Sequence, residues 1–102
     1  MLDRTTSKYF IFDTFKLTGR GLGFCGYIVK GAIAVGDIMQ FTSFDTEIQK
    51  TITGIDGGVR SQNPLINMVI LVKCQNEAEI DKILTWRPNN EVALIFKPET
   101  QL

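Results

Sequence analysis

Histidine is absent from this 102-residue chain. That removes the commonest general base and a frequent metal ligand. Cysteine occurs only twice, as Cys25 and Cys74, far apart and each among apolar neighbours. In a reducing compartment both read as buried thiols, with a disulfide between them left open. A nucleophilic role would need a base or a positive site to activate the thiol, and no recognisable one is nearby in sequence. No stretch approaches the roughly 20 apolar residues that span a bilayer. Residues 1–12, MLDRTTSKYFIF, lack a secretory apolar core followed by small residues. The resulting expectation is a cytoplasmic protein that does not enter a membrane. An excess of one charge is missing too, since 11 Lys and Arg balance 11 Asp and Glu. A neutral total argues against a protein that holds nucleic acid mainly by neutralising phosphates. Residues 1–31 nevertheless carry five bases against two acids, and the rest six against nine. The choice there lies between a mixed, solvated surface and a basic patch.

Glycine is what the chain does have, and it is concentrated. Gly19, Gly21, Gly23, Gly26, Gly31 and Gly36 fall between positions 19 and 37. Phe24, Tyr27, Ile28, Val29, Ile33 and Val35 lie among them, and these suit a pleated, half-buried surface. Such a mixture predicts bent strands and tight turns rather than a helix.

Taken in order, residues 1–8 form a polar N-terminal segment, 9–98 a single domain and 99–102 a tail. Tyr9 to Leu17 reads as a strand. Ile11, Asp13, Phe15 and Leu17 share one parity and Phe10 and Phe12 the other, an imperfect alternation that predicts a bend or bulge near Asp13. Further strands are expected at 23–29, 38–44 and 47–55, with a short extended piece around Ile33 and Val35. Ile48 and Ile52 alternate with polar residues and predict one wet face. Residues 59–67 carry loop chemistry, with Ser61, Gln62, Asn63 and Pro64. Met68 to Cys74 is apolar apart from Lys73 and predicts a strand buried on both faces. Asn76 followed by Glu79 is a helix N-cap signature, and Ile80, Ile83 and Leu84 keep helical spacing. A short helix over about 76–84 follows, then a loop over 86–90 and a last strand over 91–97. The class is all-β: a six- to seven-stranded antiparallel barrel with one short helix near the C-terminus. Closure would also remove exposed strand edges.

Two patterns invite a chemical reading. Gly21-x-Gly23-x-x-Gly26 matches a dinucleotide fingerprint by letter, but that mechanism needs a helix to begin at those glycines, and β-formers follow instead. Glu77, Glu79 and Asp81 form an acidic cluster that the first turns of a helix explain better than a metal does. No catalytic, cofactor or metal residue is assigned. The candidate contact residues are Lys16, Arg20 and Lys30, which with Tyr9 and Tyr27 could touch RNA, and Trp86 with Arg87, which could anchor a protein partner. Solubility competes as the explanation for the bases. A cap over the barrel end competes for the tryptophan.

The glycine stretch also resembles a known family. Phe15-Lys16-Leu17, Gly19-Arg20-Gly21, Gly26, Gly31, Ile33 and Val35-Gly36-Asp37 are similar in type and spacing to the second domain of translational GTPases, such as elongation factor Tu. Gln49 to Ile55, Val69 to Lys73 and Glu79-Ile80-Asp81 continue the likeness, which covers about residues 10–83. It implies a six-stranded Greek-key barrel of the translation-protein type. In that barrel Phe15, Leu17, Phe24 and Ile28 would fill the interior, Gly26 would let a strand bend, and Asp37 would bond turn amides. The chain departs from the family in lacking a GxxxxGK[S/T] motif, so by itself it would bind no nucleotide. The 56–67 loop is short relative to elongation factors, where that region helps to form the pocket for the aminoacyl-tRNA end. From Leu84 onward the likeness stops. The expected function is a non-catalytic binding module that contacts a protein partner or itself, the alternative being RNA or ribosome association. A small enzyme ranks behind both.

Overall fold

A computed structural model describes residues 5–17, 21–43, 45–57, 68–86 and 90–98. Six strands and one helix follow one another: β1 (Thr5–Leu17), β2 (Gly21–Lys30), β3 (Ile38–Ser43), β4 (Thr46–Asp56), β5 (Met68–Val72), α1 (Glu77–Trp86) and β6 (Glu91–Phe96). The strands close into an antiparallel barrel in the order β1-β2-β5-β4-β3-β6. The consecutive strands β3, β4 and β5 lie as a block between β2 and β6, which is Greek-key connectivity. The all-β expectation is met with six strands. The piece around Ile33 and Val35 is irregular and does not become a seventh.

Strand β1 is the long member, pairing with β2 over Lys8–Leu17 and with β6 over Thr5–Ile11. It starts at Thr5, earlier than its aromatic run suggests, because β6 supplies partners for the polar residues. Ser7 is buried there, and its hydroxyl donates to the Ala32 carbonyl. The register against β2 slips twice: between Lys8 and Tyr9, where Val29 of β2 is the extra residue, and between Ile11 and Asp13, where Phe12 of β1 is the extra residue of a bulge.

The Phe12 insertion corrects the expected core. Before it, Tyr9 and Ile11 point inward and are fully buried; after it, Thr14 takes the inward place. Phe15 and Leu17 are therefore only partly buried and line an outer groove with Ile55, Val69 and Leu71. Within the barrel, Phe24 meets Phe41 edge-on at 4.9 Å between ring centroids, surrounded by Leu22, Met39, Ile52, Ile70, Val72, Ala93 and Ile95. Ile28 packs against this core from a partly buried position. Tyr9 keeps its hydroxyl satisfied by donating to the Met68 carbonyl at 2.7 Å, with the Phe24 carbonyl at 3.2 Å.

Two local features hold the ends. Asp37, 2% exposed, accepts from the Ala34 amide at 2.9 Å, closing the turn as its sequence position suggests. It also binds Lys97 Nζ at 2.8 Å, which ties the end of β6 to the turn before β3. At the helix, Asn76 Oδ1 accepts from the Glu79 amide at 2.9 Å, the anticipated cap. Ile80 and Ile83 then enter the core. The helix runs on to Trp86, so the expected 86–90 loop begins later, and residues 87–89 lie outside the described ones.

Gly26 faces Ile11 across β1–β2, at the bulge. A Cβ there would collide with the Phe10 carbonyl oxygen, a backbone atom that cannot turn aside. Gly26→Ala is expected to destabilise the fold by about 1–3 kcal/mol. Gly57→Ala, with nothing within 4 Å, is expected to stay within about 0.5 kcal/mol of wild type. Urea unfolding of the two variants makes the comparison.

Candidate partner-binding face

Side chains alternate across each strand, so burial of Tyr9 and Ile11 in β1 turns Phe10 outward. Its neighbour on β2 is Tyr27 and on β6 is Val92. Phe10 and Tyr27 stack at 5.2 Å between centroids, with their planes 29° apart. Around the pair, Phe12 is 36%, Val92 47% and Val29 50% exposed. One row further along, Lys8 stands opposite Lys30 on β2 and Leu94 on β6. The outer face of β2, β1 and β6 thus carries an apolar stripe with two bases at one end. Isolated exposed apolar residues are ordinary, but a connected set on one side of a closed barrel is not.

Of the residues singled out in the sequence, Tyr27 and Lys30 lie on this face and the others described do not. Lys16 pairs with Leu22 and Lys30 with Lys8, so the two lysines stand at opposite ends of the β1–β2 ladder. At 3.3 Å per residue that is roughly 25 Å. Lys16 is also engaged, binding Glu77 at 2.6 Å and Asp81 at 3.3 Å. These carboxylates raise its pKa, the Glu77 hydrogen bond most of all. Arg20 and Arg87 lie outside the described residues, and Trp86 is the last residue of α1. Tyr9, the other suggested RNA contact, is fully buried, and burial pushes its hydroxyl pKa up. Phe10 and Phe12 are the residues whose exposure would suggest self-association, whereas Lys8 and Val92 were missed as site residues. The parity of Phe10 was the readable signal, whereas its pairing with Val92 joins segments far apart in sequence.

The acidic cluster has a structural task. Lys16 on β1 binds Glu77 and Asp81, and Lys50 on β4 binds Glu79 at 2.6 Å, so both pin α1 to the barrel. Glu79 Oε1 also accepts from the Gln75 amide at 2.9 Å. Among the described residues no group of three or more His, Cys, Asp and Glu could hold a metal ion. Gly21, Gly23 and Gly26 all lie inside β2, without the helix start that a dinucleotide site needs.

A groove of about 330 Å³ opens beside the helix start, lined in part by Gly21, Thr53, Lys73, Cys74 and Glu77. Cys25 and Cys74 are both free thiols. Burial pushes Cys74 up to about 11 and raises Cys25 as well, with Asp13 adding to the latter. Each therefore stays protonated at neutral pH, the opposite of an activated nucleophile.

No family model matches the chain, and neither does any curated protein. Among the described residues no helix is long and apolar enough to cross a membrane.

Two outcomes follow. The pKa of Glu79 is lowered first by Lys50 and then by the Gln75 amide. A folded-state value below the unfolded one adds stability above the ordinary value of 4.5, and that stability is lost as pH falls through the folded value. Glu79→Gln is expected to cost about 1–2 kcal/mol at pH 7. The gap to wild type should close as urea unfolding is repeated at falling pH below 4.5. In the native protein at pH 7.5, Ellman's reagent should label Cys74 at least about tenfold more slowly than it labels an unfolded control, because its thiolate is scarce, and should label Cys25 more slowly than the same control.

Proposed function

We propose that this chain is a non-catalytic binding module, a barrel of the kind found as the second domain of translational GTPases. It acts in the cytoplasm by holding a protein partner, or a second copy of itself, on the outer face of β2, β1 and β6. The observation that carries this reading is the stacked Phe10–Tyr27 pair flanked by Val29 and Val92, outside a barrel whose interior is already filled. Aromatic rings backed by a rigid sheet are what binding hot spots are made of. The closed Greek-key barrel, the close approach at Gly26 and the Asp37 turn support the likeness to the translation-factor domain. The reading assigns no cofactor and no catalytic residue. It favours protein over RNA because Lys16 and Lys30 do not share a surface and Lys16 is already paired.

The test is affinity purification from the native cell, with and without RNase, using wild type and a Phe10→Gln/Val92→Gln variant whose melting temperature is checked. The expected result is one protein recovered in stoichiometric amount, resistant to RNase and lost from the variant. Ribosomal proteins released by RNase, or a partner held equally by the folded variant, would overturn the reading.

A further inference from the structure

The binding face has a charge asymmetry that its apolar stripe does not explain. Lys8 and Lys30 sit directly opposite one another in the β1–β2 register, and both are exposed. Like charges in that position repel and destabilise a sheet. Lys16, Lys50 and Lys97 each hold a carboxylate within 3.3 Å, whereas Lys73 and Lys82 hold none among the described residues, but neither of those two faces a second base across a strand ladder. Lys8 and Lys30 hold none among the described residues. The two unpaired bases adjoin Phe10, Tyr27, Val29 and Val92: Lys8 and Phe10 are successive outward residues of β1, and on β2 the extra residue Val29 lies between Tyr27 and Lys30.

We infer that the occupant of this face is an acidic, apolar segment of a partner protein, whose apolar side chains cover Phe10, Tyr27 and Val92 while its carboxylates lie between Lys8 and Lys30. The inference rests on the binding-module reading and adds the chemistry of the partner. A carboxylate set between two lysines gains attraction to both and relieves their mutual repulsion, so it counts more than an isolated rim contact. The charges set orientation and selectivity, and the rings supply the buried area. A basic or neutral segment of the same apolar content would leave the lysines facing each other across a drier interface.

Selection from a random peptide display library on the immobilised full chain tests this directly. Recovered peptides are then measured by fluorescence anisotropy against wild type, Lys8→Glu/Lys30→Glu and Phe10→Gln/Val92→Gln. Circular dichroism establishes that each variant is folded. The recovered pool should be richer in Asp and Glu than the input library, and binding should fall about tenfold or more in both variants. Loss in the Phe10/Val92 variant with none in the charge-reversed one would overturn the acidic partner and leave the binding face standing. Indifference to both variants, or a pool that enriches nothing on this face, would count against both readings. A neutral or basic pool overturns the inference. So does concentration-dependent dimerisation of wild type in sedimentation that the Phe10/Val92 variant abolishes, since the occupant would then be a second copy. Salt-sensitive binding of a single-stranded RNA 12-mer that depends on Lys8 and Lys30 also overturns it, by changing the partner's class.

Discussion

Strand β1 is bonded along both edges, to β2 and to β6, and the barrel depends on that double pairing. A strand shared in this way cannot remain flat, because closing six strands forces each to coil and tilt. One irregularity of its pairing with β2 lies where Phe12 is inserted, close to Gly26. The Phe10 carbonyl approaches Gly26 so closely that no side chain fits between them. The bulge and the glycine are therefore two halves of one device, and neither would serve without the other.

The same device sorts the aromatic residues of the first strand. Tyr9 and Ile11 go inside, and the shift in parity beyond Phe12 sends Thr14 inward in place of Phe15. Phe10 is left outside in contact with Tyr27. The apolar outer face is thus a consequence of how the barrel closes, and it rests on backbone that is hydrogen-bonded on both sides. A surface so supported loses little conformational freedom when a partner covers it, which favours binding. Helix α1 is fixed by a different combination: Ile80 and Ile83 in the core, with Lys16 and Lys50 holding its acidic first turns.

Much of this was legible in the residues, to a degree that depended on how local each cause is. The glycine-rich hairpin, the Asn76 cap, the Asp37 turn and the disturbed parity near Asp13 all follow from short-range geometry. The inward set of β1 did not, because one inserted residue reverses every side chain beyond it, and sequence alone does not say which residue is extra. The start at Thr5 was hidden because its partner Phe96 lies at the far end of the chain. For the same reason the capture of Lys16 by Glu77 and Asp81, the bond from Lys97 to Asp37 and the junction of Phe10 with Val92 escaped notice. Of the candidate basic surface, Lys16 and Lys30 lie at opposite ends of a ladder and Lys16 is held by carboxylates of the helix, while Arg20 lies outside the described residues.

Closure itself rests on the short seam where β3 meets β6, over Ile38↔Phe96, Met39↔Ile95 and Gln40↔Leu94. Nuclear Overhauser spectroscopy of the isotopically labelled protein examines that seam most directly. The account predicts contacts between Met39 and Ile95 in the same molecules that show Ile11 against Gly26 and Lys8 against Leu94. Contacts from β1 to both of its neighbours without any between β3 and β6 would mean an open sheet, and would contradict it.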